Sequence, residues 1–310
     1  MKLIKPSFSI LNDTNYNIES IYKRIELVGR CSHKSEDRIT EDSAKTFVER
    51  IMKMKHLSTC EFGTVYLYID YHNPSFGKII DKYNNNQYSK CIIDNVFPNK
   101  AYISSNYRVL VENNWLDDLK YLCEPTEYHE KRICVKFICD RGILAEFTRH
   151  RKFSFMAEST RYCNYSKGKF NNELTFIQPC WADEALLKEV KGTVITKDDY
   201  GSLICEYYYH LSGKEEGWFK PWLITPEKNF VASLQIAEQL YLELLNQGWK
   251  PEQARNILPL SLKTELYMCG FAEDWEQFFK LRCATSAHPQ ARELAIPLKE
   301  EFIKKGYLNT

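Results

Sequence analysis

The sequence predicts a mixed α and β fold in one domain. Segments with apolar residues at helical spacing are interspersed with short β-branched and aromatic runs. The 310 residues are 44% hydrophobic and 14% aromatic, ample for a sizeable core. No internal repeat, linker or shift of composition marks a domain boundary.

Residues 41–55 predict the first helix, because Ala44, Phe47, Val48, Ile51 and Met52 recur at helical spacing behind a polar start. Gly63-Thr64-Val65-Tyr66-Leu67-Tyr68-Ile69 is β-branched and aromatic throughout and predicts a strand covered on both faces. Between them, His56-Leu57-Ser58-Thr59-Cys60-Glu61 occupies a helix-to-strand junction, where side chains can converge on a ligand. Residues 80–90, with Asn84-Asn85-Asn86, predict a polar loop. Tyr107–Val111 and Ile133–Ile138 predict strands flanking a helical Trp115–Tyr121.

From Gly142 the period becomes helical, with Ile143, Leu144 and Phe147 on one stripe and Glu146, Arg149 and His150 on another. Continued helix would set Arg149 and Arg151 roughly 200° apart, able to address two ligands. Glu173–Ile177 predicts a strand, and residues 198–217 fit either strand or helix. Thr225-Pro226-Glu227 is a capped helix start, with the helix running to about Asn246. Further helices open at Pro251, which carries on to Arg255, at Asp274, which reaches Arg282, and at Pro289.

With 42 basic and 41 acidic residues the net charge is +1, so no global field draws the chain to nucleic acid or a membrane. Any anion site is built locally. Met1–Pro6 carries charge and a proline where an export signal needs an apolar run, and no stretch approaches the 18 or so apolar residues of a membrane span. Eleven cysteines without a Cys-x-x-Cys predict reduced, mostly buried thiols in a cytoplasmic protein. Metal-ligand spacing and a Gly-x-Gly-x-x-Gly run are both absent, so neither a metal nor a Rossmann-type cofactor site is expected.

The densest chemistry lies in Arg149-His150-Arg151-Lys152-Phe153-Ser154-Phe155-Met156-Ala157-Glu158-Ser159-Thr160-Arg161-Tyr162. Guanidinium groups are costly to bury unpaired, and arginines set among aromatics at this density suit an anionic, planar ligand such as a nucleotide. Arg-His-Arg, seven residues, then Ser-x-Arg resembles the signature of the flavin-dependent thymidylate synthases. His56–Glu61 resembles that family's flavin-lining segment, and Arg255-Asn256-Ile257-Leu258-Pro259-Leu260 through Arg282 to His288 resembles its C-terminal region.

The resemblance implies an α+β fold, a mixed, largely antiparallel sheet with flanking helices, assembled as a homotetramer with flavin sites between subunits. It implies methylation of dUMP to dTMP, with FAD as cofactor and NADPH and 5,10-methylenetetrahydrofolate as co-substrates. By the same likeness Glu146, Arg149, Glu158, Ser159, Thr160, Arg161, Arg255 and Arg282 bind dUMP, and Arg282 activates the uracil. His56, Ser58, Glu61, Arg149, His150, Arg151, Gln277 and His288 are placed on FAD. Recognisable segments span 40–70 and 140–290, leaving 70–130 and 185–220 as elaborations.

Four places depart from the family pattern. Met156-Ala157 stands where many members have Asn-Glu, with Glu158 one place later. Ser58 replaces a threonine and Phe62 a histidine, and Phe271-Ala272-Glu273 lacks an asparagine and arginine that bind FAD in some members. These departures leave open a non-catalytic nucleotide- or RNA-binding protein, or a flavin oxidoreductase with another substrate. Gln178-Pro179-Cys180-Trp181 resembles the nucleophile segment of classical thymidylate synthases, but Trp181 replaces the expected histidine, so Cys180 reads as a buried structural thiol.

Overall fold

A computed structural model describes residues 1–11, 15–94, 99–185, 187 and 225–308. The ambiguous segment 198–217 lies outside them. The chain divides into two compact units: Met1–Pro6 with Asp140–Gly142 and Thr160–Lys263, and Ser7–Cys139 with Ile143–Ser159 and Thr264–Thr310. Neither is a continuous piece of sequence, so no linker composition could announce a boundary between them.

In the first unit, β1 (Lys2–Ile4) pairs in parallel with β8 (Thr175–Ile177). Its core gathers Leu3, Cys163, Tyr165, Phe176, Val231 and Tyr241. The long α6 (Pro226–Asn246) begins at the predicted Thr-Pro start, and α7 (Pro251–Ala254) tightens into a 3-10 turn over Arg255–Ile257. Arg255 therefore sits just past the helix expected to carry it.

The second unit holds two sheets. One has the order β2 (Ser7–Leu11), β6 (Arg132–Asp140), β9 (Lys263–Phe271), β7 (Ser154–Ala157). Its β2–β6 and β7–β9 pairs are antiparallel. The other has the order β3 (Thr64–Asp70), β5 (Lys100–Asn106), β4 (Lys90–Ile93), antiparallel throughout. The protein is thus a mixed α and β fold with largely antiparallel pairing, distributed over three sheets rather than one.

α1 (Ile18–Cys31) starts at Asn17, whose side chain accepts from the Ser20 N–H at 2.9 Å, and buries Ile21, Ile25 and Val28. Gly29 on this helix allows a close approach that any Cβ would block, since that atom would stand 2.7 Å from both Phe47 and Thr59. The contact fixes α2 (Ser43–Lys53) and the 3-10 turn Leu57–Phe62 against α1, and so sets Glu61. α8 (Ala272–Arg282) and α9 (Pro289–Lys304) bury Trp275, Phe278, Leu294, Leu298 and Phe302 against Val135, Phe137, Leu266 and Met268 of the four-stranded sheet.

Two local expectations are corrected. Tyr107–Val111 is not a strand but α4 (Tyr107–Glu112), because Asn106 caps it by accepting the Val109 N–H at 3.2 Å and β5 has already ended. Residues 80–84 belong to α3 (Phe76–Asn84), whose Ile79, Ile80 and Tyr83 are buried, so the polar loop is shorter than predicted.

Candidate functional site

The second unit anchors one arginine with unusual completeness. α5 (Arg141–Phe147) stops at Phe147, where the Thr148 hydroxyl donates to the Leu144 carbonyl at 3.0 Å and competes with helix continuation. The 200° separation of Arg149 and Arg151 therefore does not apply: a turn follows, with the His150 N–H donating to the Phe147 carbonyl at 3.2 Å, and leads into β7. This turn brings His150 and Glu146 to Arg282, in the last turn of α8. Arg282 donates from Nε to His150 Nε2 at 3.0 Å, from Nη1 to Glu146 Oε2 at 2.7 Å, and from Nη2 to the Glu146 carbonyl at 2.5 Å.

Burial, followed by the adjacent Arg282 charge, pushes the His150 imidazole down to about 4. The ring, tilted against Phe278 with centroids 5.1 Å apart, is accordingly neutral at pH 7. Because Nε2 accepts from Arg282, the proton belongs on Nδ1. Among the described residues, three of the five guanidinium N–H groups are used on protein, which leaves two for a ligand.

Glu61 and Arg151 line a shared cleft of about 660 Å³ within the same unit. Five cations border it, Lys90, Arg108, Arg132, Arg151 and Lys152, against three carboxylates, Glu61, Glu112 and Asp274. Arg108 pairs with Glu61 and Glu112, and Lys152 reaches Asp274 only at 3.6 Å. Arg132 has neutral partners, the Glu61 carbonyl at 3.0 Å and the Thr64 hydroxyl at 3.3 Å. Arg151 is exposed and has no ion-pair partner among the described residues. The cleft thus carries excess positive charge beside Phe153 and Phe271.

Gly270 forms part of its floor, because a Cβ there would lie 2.5 Å from the Phe153 ring. Burial pushes the Asp274 carboxyl up, an effect Lys152 opposes. The sequence reading missed Lys90, Arg108 and Arg132. Arg108 interrupts an otherwise apolar Tyr107–Val111, and Arg132 heads the apolar β6, so each carried the signal of a cation in a hydrophobic run.

Thr160, Arg161 and Arg255 belong to the first unit. There Arg255 Nη1 donates to the buried Thr160 hydroxyl at 3.5 Å, and the exposed Arg161 guanidinium lies 5.2 Å from the Tyr162 ring centroid. In the second unit the Ser159 N–H donates to the Ser32 carbonyl at 3.1 Å and the Glu158 N–H to the Glu265 carbonyl at 2.9 Å. Glu158 is 2% exposed and its charge acts on the Cys31 thiol.

Arg149, His56, Ser58 and Gln277 are exposed, and His288 is the exposed cap residue of α9. Cys180 is exposed rather than buried, because it follows the short β8 at the turn of Gln178–Trp181 instead of entering the core. Cys31, Glu36 and Glu265 bring three ligand-type atoms within 4.8 Å. Lys34 already pairs with both Glu36 and Glu265, Lys136 with Glu265 at 2.7 Å, and burial holds the Cys31 thiol protonated, which describes an ion-pair network rather than a metal centre.

Comparison with known proteins adds a family. The chain is 29% identical over 164 residues to a flavin-dependent thymidylate synthase of Synechocystis sp., covering 53% of this chain and 62% of the relative. It is 29% identical over 165 residues to a probable flavin-dependent thymidylate synthase of Paramecium bursaria Chlorella virus 1, covering 53% and 63%. The chain therefore spans less than two thirds of either relative's length. A solved UMP/dUMP methylase from Streptomyces cacaoi aligns over 98% of this chain and 93% of its own at 16% identity, with a TM-score of 0.40, too low to carry an argument. The model of the family described as thymidylate synthase complementing protein matches residues 127–305, which include the Arg149–Arg161 signature, Arg255 and Arg282 but not His56–Glu61. With more than half its length so matched, this chain belongs to the thymidylate synthase complementing protein family, that of the flavin-dependent thymidylate synthases.

Proposed function

We propose that this protein converts dUMP to dTMP, using methylenetetrahydrofolate as one-carbon donor and FAD reduced by NADPH. The observation that carries the reading is Arg282, held by Glu146 and a neutral His150 with two N–H groups to spare among the described residues. Such a donor, fixed before substrate arrives, stabilises negative charge developing on a uracil ring without reorganising. Glu146 offsets the guanidinium charge while fixing its direction, and His150, uncharged, does not repel it.

The cleft fits a phosphorylated flavin, since its excess cations suit a diphosphate and Phe153 and Phe271 an aromatic ring. Arg151 and Glu61 would hold FAD from this chain, with His56, Ser58, His150, Gln277 and His288 in the assembled homotetramer; the flavin would supply the reducing equivalents. Arg149, which is exposed, would reach both ligands. Glu158, Ser159, Thr160, Arg161 and Arg255 would receive dUMP, the guanidinium groups and hydroxyls taking its phosphate. Their task is to hold the pyrimidine in reach of the flavin and exclude other geometries.

The test is tritium release from [5-³H]dUMP by the purified protein with FAD, NADPH and methylenetetrahydrofolate. Release requiring every component supports the reading. Bound flavin and NADPH oxidation without release would replace it with a flavin oxidoreductase of another substrate. Absence of flavin and of NADPH oxidation would favour a non-catalytic binding protein. Arg282→Ala is expected to abolish dTMP formation while flavin absorbance is retained. Arg161→Ala is expected to weaken dUMP binding by about 1.5–3 kcal/mol, the worth of a hydrogen bond to a charged group, as read by calorimetry.

A further inference from the structure

The wall of the cationic cleft built by residues 87–112 precedes the matched family region, which begins at residue 127. It carries Lys90, one of the cations suited to a diphosphate, and the ring of Tyr88, which has no role in the reading above. Lys90, the first residue of β4, places its ammonium 5.9 Å from the Phe271 ring centroid, and Arg132 places its guanidinium 5.7 Å from the same centroid. Two cations gathered at one ring repel each other, and the ring quadrupole offsets only part of that cost. An anion between them removes it.

Lys90 meanwhile binds Glu273 at 2.8 Å, a pair whose side chains are 43% and 61% exposed. An exposed pair of this kind is weak and exchanges its partner readily. Two residues before Lys90, Tyr88 is 55% exposed and borders the same cleft. Its backbone is fixed by an Asn86 side chain that accepts the Tyr88 N–H at 3.0 Å, so the ring is offered from an ordered turn.

We propose that Tyr88, Lys90 and Arg132, together with Arg151, form a subsite for the nucleoside diphosphate half of a dinucleotide, with Glu273 holding Lys90 until the ligand displaces it. The base stacks on Tyr88, and the diphosphate takes Lys90 from Glu273 and bridges it to Arg132 and Arg151. The subsite deepens the proposed function and rests on it only for the identity of the dinucleotide. FAD and NADPH both contain an adenosine diphosphate unit, and the experiment separates them.

Calorimetric titrations with ADP, inorganic pyrophosphate, FAD, NADPH and riboflavin on the full chain test the subsite. Lys90→Ala, at a half-exposed position that folding tolerates, is expected to weaken ADP and pyrophosphate about 5- to 20-fold and to leave riboflavin unchanged. Tyr88→Ala is expected to weaken ADP but not pyrophosphate. Glu273→Gln is expected to tighten ADP about 3- to 10-fold by releasing Lys90, a gain that a purely structural ion pair would not give. Loss of FAD affinity in Lys90→Ala assigns the subsite to the flavin, and loss of NADPH affinity assigns it to the reductant. Unchanged ADP affinity in Lys90→Ala, or no gain in Glu273→Gln, overturns the proposal. Tritium release by the wild type with ADP binding indifferent to Lys90 would sink the subsite alone. Lys90-dependent ADP binding without tritium release would sink the synthase reading alone.

Discussion

His150 shows how one side chain can be set by its surroundings. Its imidazole, ordinarily near 6.5, is driven to about 4 first by burial and then by Arg282. As pH falls from 6.5 toward 4 the unfolded chain takes up a proton that the native state refuses, so this residue's contribution to stability is full above about 6.5 and is lost across that window. NMR of the His150 ring is expected to show titration well below that of an exposed histidine. Arg282→Gln is expected to move it upward only part of the way, because burial is the larger cause. A titration near 6.5 in the wild type would show that the ring is not held neutral. Arg-His-Arg was legible as a motif, but the division of labour within it was not. Arg149 is exposed, His150 orients Arg282 and Arg151 lines a cleft, because a turn replaces the helix that its spacing suggested.

Among the elements, α2, α6, α7, α8 and α9 were legible and begin within about two residues of their predicted starts, whereas α1 and α3 went unread. Strands were harder. β1, β2, β4, β5, β7 and β9 went unread, and Tyr107–Val111 was misread, because a β-branched run says little against a cap such as Asn106. Asn106 is 4% exposed, and Asn106→Ala is expected to cost about 1 kcal/mol of unfolding free energy, the usual worth of an N-cap, as measured by chemical denaturation. Gly270→Ala has a sharper consequence. Its Cβ would stand 2.5 Å from the Phe153 ring, and that ring is packed edge-on against Trp275 with centroids 4.8 Å apart. Destabilisation of about 1–3 kcal/mol is expected from such overpacking, with deformation of the cleft. A variant as stable as the wild type would show that Phe153 can yield.

For the whole molecule, thiol chemistry gives a direct check. No disulfide joins the ten described cysteines; six are buried, Cys91, Cys123 and Cys283 are half-buried, and Cys180 is exposed. Reaction of the native protein with an aromatic disulfide reagent is expected to lose one rapid equivalent in Cys180→Ser and none in Cys139→Ser. Loss of a rapid equivalent in the latter would contradict the buried position of β6. No helix among the described residues is long and apolar enough to cross a membrane.

The sequence by itself determined the family and the mixed α and β class, because motifs and helical periodicity are local and survive in a linear reading. Only the tertiary structure decided that three sheets replace one, that the chain crosses between two units and that Glu146, His150 and Arg282 converge. It also decided that Lys90, Arg108 and Arg132 meet Arg151 around one cleft. Those outcomes depend on contacts between residues as far apart as Lys90 and Glu273, where packing and charge pairing, rather than neighbouring sequence, select the partner.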